Sequence, residues 1–104
     1  MVRAGLVAFV ITGGAAWADP VITSERQAAL EHMVIQDCGS CHGLTMRGGL
    51  GTPITPADLA GRDTEGLAEI ILNGIPGTAM PPWRPLIAEH EAHWIAEYLQ
   101  KERP

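Results

Sequence analysis

The chain has 104 residues, two cysteines and a formal charge of −5, from seven Lys and Arg against twelve Asp and Glu. That length holds one domain, and two cysteines cannot build a disulfide framework. The acidic balance argues against nucleic acid, whose phosphates require a basic face.

Residues 1–18 read as a leader rather than as part of the fold. Met1-Val2-Arg3 is a short basic start, Ala4 to Trp17 is mostly apolar, and Ala16-Trp17-Ala18 forms an A-x-A cleavage pattern before Asp19-Pro20. This is the pattern of a secretory signal peptide. The other reading is a retained membrane anchor, but the apolar run is short for a span and contains Gly13-Gly14. Cleavage after Ala18 leaves a mature domain over 19–104, 86 residues with a net charge of −6 because only Arg3 is lost. The expected location is the periplasm, with no membrane span once the leader is gone and a monomer as the expected state.

A helix is predicted from Ser24 to about Asp37. Thr23 or Ser24 can cap it, and Ser24 with Gln27 has the capping-box spacing. Ala28, Leu30, Met33 and Val34 recur at helical intervals. Leu30 and Val34 lie eight and four residues before Cys38, on one face. Met33 reads as packing.

Cys38-Gly39-Ser40-Cys41-His42 comes next. A C-x-x-C-H run is the attachment signature of a c-type haem. Two thiols one helical turn apart suit the two vinyl groups of the porphyrin, and the adjacent imidazole supplies one axial nitrogen. A zinc site would need four ligands, and no second cysteine pair is present. A C-x-x-C redox motif wants a βαβ context, and no strand pattern surrounds this one. The chain therefore carries one covalent haem c on Cys38 and Cys41, with His42 on the iron. A mature chain of this size is marginal without the porphyrin's apolar surface. The haem-free chain is expected to be largely unfolded, and a cooperative thermal transition without haem would refute that.

After His42, Gly43, Gly48, Gly49, Gly51, Pro53 and Pro56 exclude regular structure. Arg47 in this loop either meets a haem propionate or is a solvated loop arginine. Thr55-Pro56-Ala57-Asp58-Leu59 predicts a short helical turn with Pro at its first position. Asp63 or Thr64 caps a further helix that runs to about Asn73, with Leu67, Ile70 and Ile71 on its apolar face and Gly74 just past its end. Gly74 to Trp83 forms a stiff strap whose prolines prevent helix on both sides of Met80. Met80 follows His42 by 38 residues, enough to reach the opposite face of the iron. Its thioether is a candidate second axial ligand. The competing reading is core packing, with the iron five-coordinate or bound by a histidine. Met46 is too close to His42 to cross the porphyrin plane easily. His32, His90 and His93 read as surface residues. The final helix, about Ala88 to Lys101, places Trp94, Ile95, Tyr98 and Leu99 on its apolar stripe and leaves Glu89, Glu91, Glu97 and Glu102 solvated. It is expected to cross the first helix near Leu30 and Val34.

Together these stretches resemble a class I cytochrome c, and more narrowly the small c55X cytochromes, the NirC type of denitrification gene clusters. Cys38-Gly-Ser-Cys-His-Gly43, Arg47-Gly-Gly-Leu-Gly51, Pro76-Gly-Thr-Ala-Met-Pro-Pro-Trp-Arg-Pro85 and Trp94-Ile95 carry the resemblance over nearly the whole mature chain. Related straps occur in other small cytochromes and in cytochrome domains of denitrification enzymes. The resemblance implies an all-α class I cytochrome c fold of three to four short helices wrapped around one covalent haem, the N- and C-terminal helices crossing. It implies His42 and Met80 as axial ligands. It also implies electron carriage to cytochrome cd1 nitrite reductase, or a part in maturing that enzyme's haem d1. Class I cytochromes commonly follow the loop with Gly-Pro, whose carbonyl accepts the axial histidine's ring N–H. Here the order is Gly51-Thr52-Pro53, so either Thr52 or Pro53 fills that place.

A one-electron carrier with both axial ligands kept needs no substrate at the iron and is not an enzyme. Its partner is expected to dock at the exposed haem edge near Gly43, Ile75 and Pro76. An accessory redox factor in haem d1 assembly would share this fold. A ligand-binding sensor would need a labile or absent Met80.

Overall fold

The structure is a computed structural model that describes residues 2–10, 13 and 20–102. Among the described residues five α-helical segments make the fold, and no strand occurs. Residues 2–10 have no regular structure, and their apolar side chains, Leu6 and Phe9 among them, are exposed. The Ala16-Trp17-Ala18 cleavage pattern lies outside the described residues.

Helix α1 (Ser24–Met33) is capped by Thr23, whose hydroxyl accepts the Arg26 N–H at 3.2 Å. The expected Ser24–Gln27 box does not form. The Gln27 amide instead donates to the Ile22 carbonyl at 3.2 Å, tying the lead-in to the helix. The run does not end at Asp37 as expected. It passes through a π-helical turn, Val34–Cys38, into α2 (Gly39–His42). Gly39 keeps helical angles, and only Gly43, at φ 90°, ends the run. The attachment motif is thus the last turns of one long helical rod whose inner face is Leu30 and Val34, 0% and 1% exposed. Burying each of these is worth roughly 2 kcal/mol.

Helix α3 (Pro56–Leu59) starts as expected. Thr55 and Asp58 exchange backbone and side-chain bonds in a capping box, with proline in the first turn. Helix α4 (Thr64–Asn73) is capped by Asp63. Helix α5 (Glu89–Gln100) packs along α4 and touches α3 and α1. Gln100 pins its far end, donating to the carbonyls of Leu59 and Arg62 and accepting from the Thr64 hydroxyl.

The stripe that α5 buries differs from the expected one. Ala92, Ile95, Ala96 and Leu99 are buried. Trp94 and Tyr98 are half-buried at its flank, their rings stacked with centroids 5.3 Å apart and planes 14° from parallel. Alanines at 92 and 96 let the neighbouring helices approach closely, and the larger rings lie where there is room. Glu91 is a correction, because it is buried rather than solvated. Its carboxylate forms a two-pronged ion pair with the Arg26 guanidinium of α1 and also accepts the Ala88 N–H at 3.0 Å. That pair is the point where the first and last helices meet by charge, and it supplies the start of α5 that Ala88 cannot.

Candidate haem attachment site

Cys38, Cys41 and His42 are delivered together by the end of the helical rod. Both cysteines are free thiols, Cys38 half-buried and Cys41 exposed. Burial, with the adjacent Asp37 carboxylate, pushes the Cys38 thiol up to about 11.

The glycine loop after His42 folds back onto the rod. A helix leaves its last carbonyls without partners inside the helix. Here the Cys41 carbonyl accepts the Gly51 N–H at 2.7 Å and the His42 carbonyl accepts the Gly48 N–H at 2.7 Å. This return places the Thr52 carbonyl 2.7 Å from Nδ1 of His42. A carbonyl can only accept, so Nδ1 carries the proton and Nε2 keeps the ring's lone pair. Of the two acceptors weighed from the sequence, Thr52 fills the place, through its backbone. Gly51 makes the approach possible. A β-carbon there would lie 2.9 Å from Nδ1 of His42 and 3.0 Å from its Cε1.

Met46 lies inside this loop and is 3% exposed, with φ 61°. Its backbone accepts the Ile54 N–H and donates to the Gly43 carbonyl, both at 2.9 Å. It is a core residue that holds the loop's shape. Arg47 is exposed beside it, in a surface groove of about 640 Å³ that also includes Leu44, Tyr98 and Glu102.

Met80 is half-buried in the strap between α4 and α5. The strap closes on itself where Ile75 N–H donates to the Met80 carbonyl at 3.2 Å. Inside that closure the Thr78 hydroxyl donates to the Ile75 carbonyl at 2.7 Å, and the Met80 N–H donates to the Thr78 hydroxyl at 3.3 Å. Gly74, at φ 66°, is needed here, because a β-carbon would fall 2.5 Å from the Met80 carbonyl oxygen. The far end returns to α4: Trp83 and Arg84 donate their N–H groups to the carbonyls of Ile71 and Leu72, each at 3.0 Å. Sequence reasoning passed over the Arg84 side chain, whose partners lie on two other elements. Of the histidines expected at the surface, His32 is exposed, while His90 and His93 are half-buried, His93 facing Glu97 at 3.6 Å.

The donor set fits a covalently held porphyrin. It offers two unpaired thiols one helical turn apart and an imidazole whose one nitrogen is anchored while the other is free to ligate. Among the described residues no His, Cys, Asp and Glu group forms an ordinary metal cluster. No helix of theirs is long and apolar enough to cross a membrane.

Comparison with known proteins gives a consistent picture. The family model described as cytochrome C oxidase, cbb3-type, subunit III matches residues 25–99. Cytochrome c55X of Paracoccus denitrificans is 56% identical over 101 residues, 97% of this chain and 96% of that protein. Cytochrome c55X of Pseudomonas aeruginosa is 48% identical over 82 residues, 79% of this chain and 69% of that protein. Among solved structures, the c-type cytochrome NirC matches with a TM-score of 0.73 and 46% identity over 75% of this chain and 92% of its own. The dihydro-heme d1 dehydrogenase NirN, in complex with DHE, matches with a TM-score of 0.65 and 30% identity, over 71% of this chain and 16% of its own.

Proposed function

This chain belongs to the c-type cytochromes of the c55X kind, and from that premise we propose that it is an exported carrier of single electrons to cytochrome cd1 nitrite reductase in denitrification. As a c-type cytochrome it binds haem c covalently and transfers electrons rather than catalysing a reaction. The bound haem supplies a ferric–ferrous couple.

The chain's own residues take these roles. Cys38 and Cys41 would hold the porphyrin by thioethers. His42 would ligate through Nε2, with Thr52 keeping its ring oriented and basic. Met80 would be a further iron ligand, a soft neutral sulfur that favours the ferrous state and raises the potential. The observation that carries this reading is the 2.7 Å bond from His42 Nδ1–H to the Thr52 carbonyl. It leaves one imidazole nitrogen for iron, and a surface histidine has no need of such an anchor.

Residues 1–18 act as a leader, removed on export to the periplasm to leave the cytochrome domain over 19–104. The exposed, irregular course of residues 2–10 supports this. A redox partner docks at the haem edge near Gly43, Ile75 and Pro76, where Ile75 is 45% exposed. Acidic side chains further out steer a partner with a basic face.

A second reading is favoured by one observation, the likeness to a dihydro-heme d1 dehydrogenase. In that reading the protein is an accessory redox factor in haem d1 assembly, taking electrons from a maturation enzyme. Stopped-flow mixing separates the two. Reduced protein mixed with oxidised cytochrome cd1 across a salt series is expected to oxidise fast and with salt-dependent rates. No oxidation on the turnover timescale, together with reduction of the ferric protein by a dihydro-haem d1 dehydrogenase and its substrate, would replace the first reading by the second.

A further inference from the structure

The Met80 strap is closed at its base by one side chain that the proposed electron-transfer role does not yet use. Arg84 lies where the strap rejoins the fold, and its guanidinium is spread over three positions. Nε and Nη2 both donate to Oδ1 of Asn73, the last residue of α4, at 3.0 and 2.9 Å. Nη1 donates to Glu89, the first residue of α5, at 3.2 Å. Nη2 also lies 4.0 Å from Glu69 on α4, and Glu69 in turn accepts from the Asn73 amide at 2.8 Å. The Arg84 backbone N–H meanwhile donates to the Leu72 carbonyl. One residue thus ties the end of the strap to the end of α4 and to the start of α5.

The placement matters because the strap has few other holds at this end. Pro81, Pro82 and Pro85 have no N–H to give. Trp83 and Arg84 are the residues between those prolines that bond to α4 through the backbone. A loop pinned at both ends restricts how far its middle can travel, and Met80 is in the middle. A thioether is a weak ligand for ferric iron, so in that state its retention depends on how firmly the chain presents it.

We propose that Arg84 is a positioning residue for Met80: its fork to Asn73 and Glu89 keeps the strap shut and so keeps the sulfur available to ferric iron. This rests on the reading of Met80 as axial ligand. Arg84 is 46% exposed, and its partner carboxylates more so. The contribution to global stability is therefore small, while the effect on the strap is direct.

The test is competition by imidazole for the ferric haem of the purified, haem-loaded protein, followed by loss of the red charge-transfer band of methionine-ligated ferric haem. Arg84→Gln is expected to bind imidazole about 5-fold more tightly, the size expected when one favourable exposed network is lost. Its ferrous form should melt within several degrees of the wild-type temperature. Arg84→Lys keeps the charge but not the fork and should fall between. Asn73→Ala should reproduce most of the change and add little to Arg84→Gln. Met80→Ala, measured alongside, must abolish the band. If the band survives in Met80→Ala, the ligand reading fails and this proposal with it. If the band depends on Met80 and Arg84→Gln binds imidazole as wild type does, the ligand reading stands and the role of Arg84 is overturned. A fall in melting temperature with imidazole affinity unchanged would also overturn it, since that describes a merely structural residue.

Discussion

The loop after His42 and the strap around Met80 use the same device with different materials. Each begins where a helix ends and returns to bond that helix's unpaired carbonyls. On the histidine side, Gly48 and Gly51 donate to His42 and Cys41. On the methionine side, Trp83 and Arg84 donate to Ile71 and Leu72. The histidine loop closes within a few residues, is rich in glycine and ends on a direct bond to the ligand's ring. The methionine strap is stiffened by proline and secured at its base by an exposed arginine. Both loops are held by backbone bonds, but only the strap adds a side chain that reaches to other elements, Arg84 to Asn73 and Glu89.

Breaking each side at its ligand should give the largest contrast. His42→Ala is expected to abolish haem-loaded protein, because attachment and ligation share that turn. Met80→Ala should keep covalent haem and lose the high potential. Haem staining of denaturing gels and a redox titration read both outcomes, and equal haem loss in the two variants would contradict the comparison.

A β-carbon placed at the tightest approach in each loop probes the rigidity itself. Gly51→Ala crowds the His42 ring at 2.9 Å, and Gly74→Ala meets the Met80 carbonyl at 2.5 Å on a backbone with φ 66°. Each should cost about 1–3 kcal/mol in chemical denaturation. Gly51→Ala should also raise the potential, because a weaker bond from His42 to Thr52 leaves the imidazole a poorer donor to ferric iron. Gly74→Ala should instead ease displacement of the methionine by imidazole. The two signatures exchanged would sink the assignment of roles.

Away from both loops, the Arg26–Glu91 pair joins the first and last helices and should answer to pH. The Arg26 hydrogen bond holds the Glu91 carboxyl below its ordinary value of 4.5, against the opposing effect of burial, with the Ala88 N–H and nearby His90 adding to the lowering. A carboxyl lowered on folding stabilises the fold above its unfolded value, and that contribution is lost as pH falls through the folded value. Melting of the wild type should therefore decline more steeply below about pH 4.5 than melting of Glu91→Gln, which starts lower at neutral pH. Parallel curves would show that the pair contributes nothing.

The smallest effect expected is at Thr52. Since its carbonyl is the acceptor, Thr52→Ala should leave the potential and the melting temperature within experimental error of wild type. A clear shift in potential would mean that the hydroxyl takes part after all.

The sequence by itself determined the chemistry and the short-range structure. The C-x-x-C-H run, the proline strap around Met80, the Thr55–Asp58 box, the Asp63 cap and the glycine past Asn73 are all read within four or five residues, the span over which one backbone hydrogen bond or one haem attachment closes. It left open whether Thr52 or Pro53 would hold His42, since that depends on how the glycine loop returns to the rod. It misread Glu91 as solvated and Trp94 and Tyr98 as the core of the last helix, and it passed over Arg84. Those were tertiary decisions. Which charge is buried depends on meeting Arg26, 65 residues away, and which stripe is buried depends on how closely a neighbouring helix can come. A helical repeat marks where an apolar face exists, but only the packed helices select the residues that fill it.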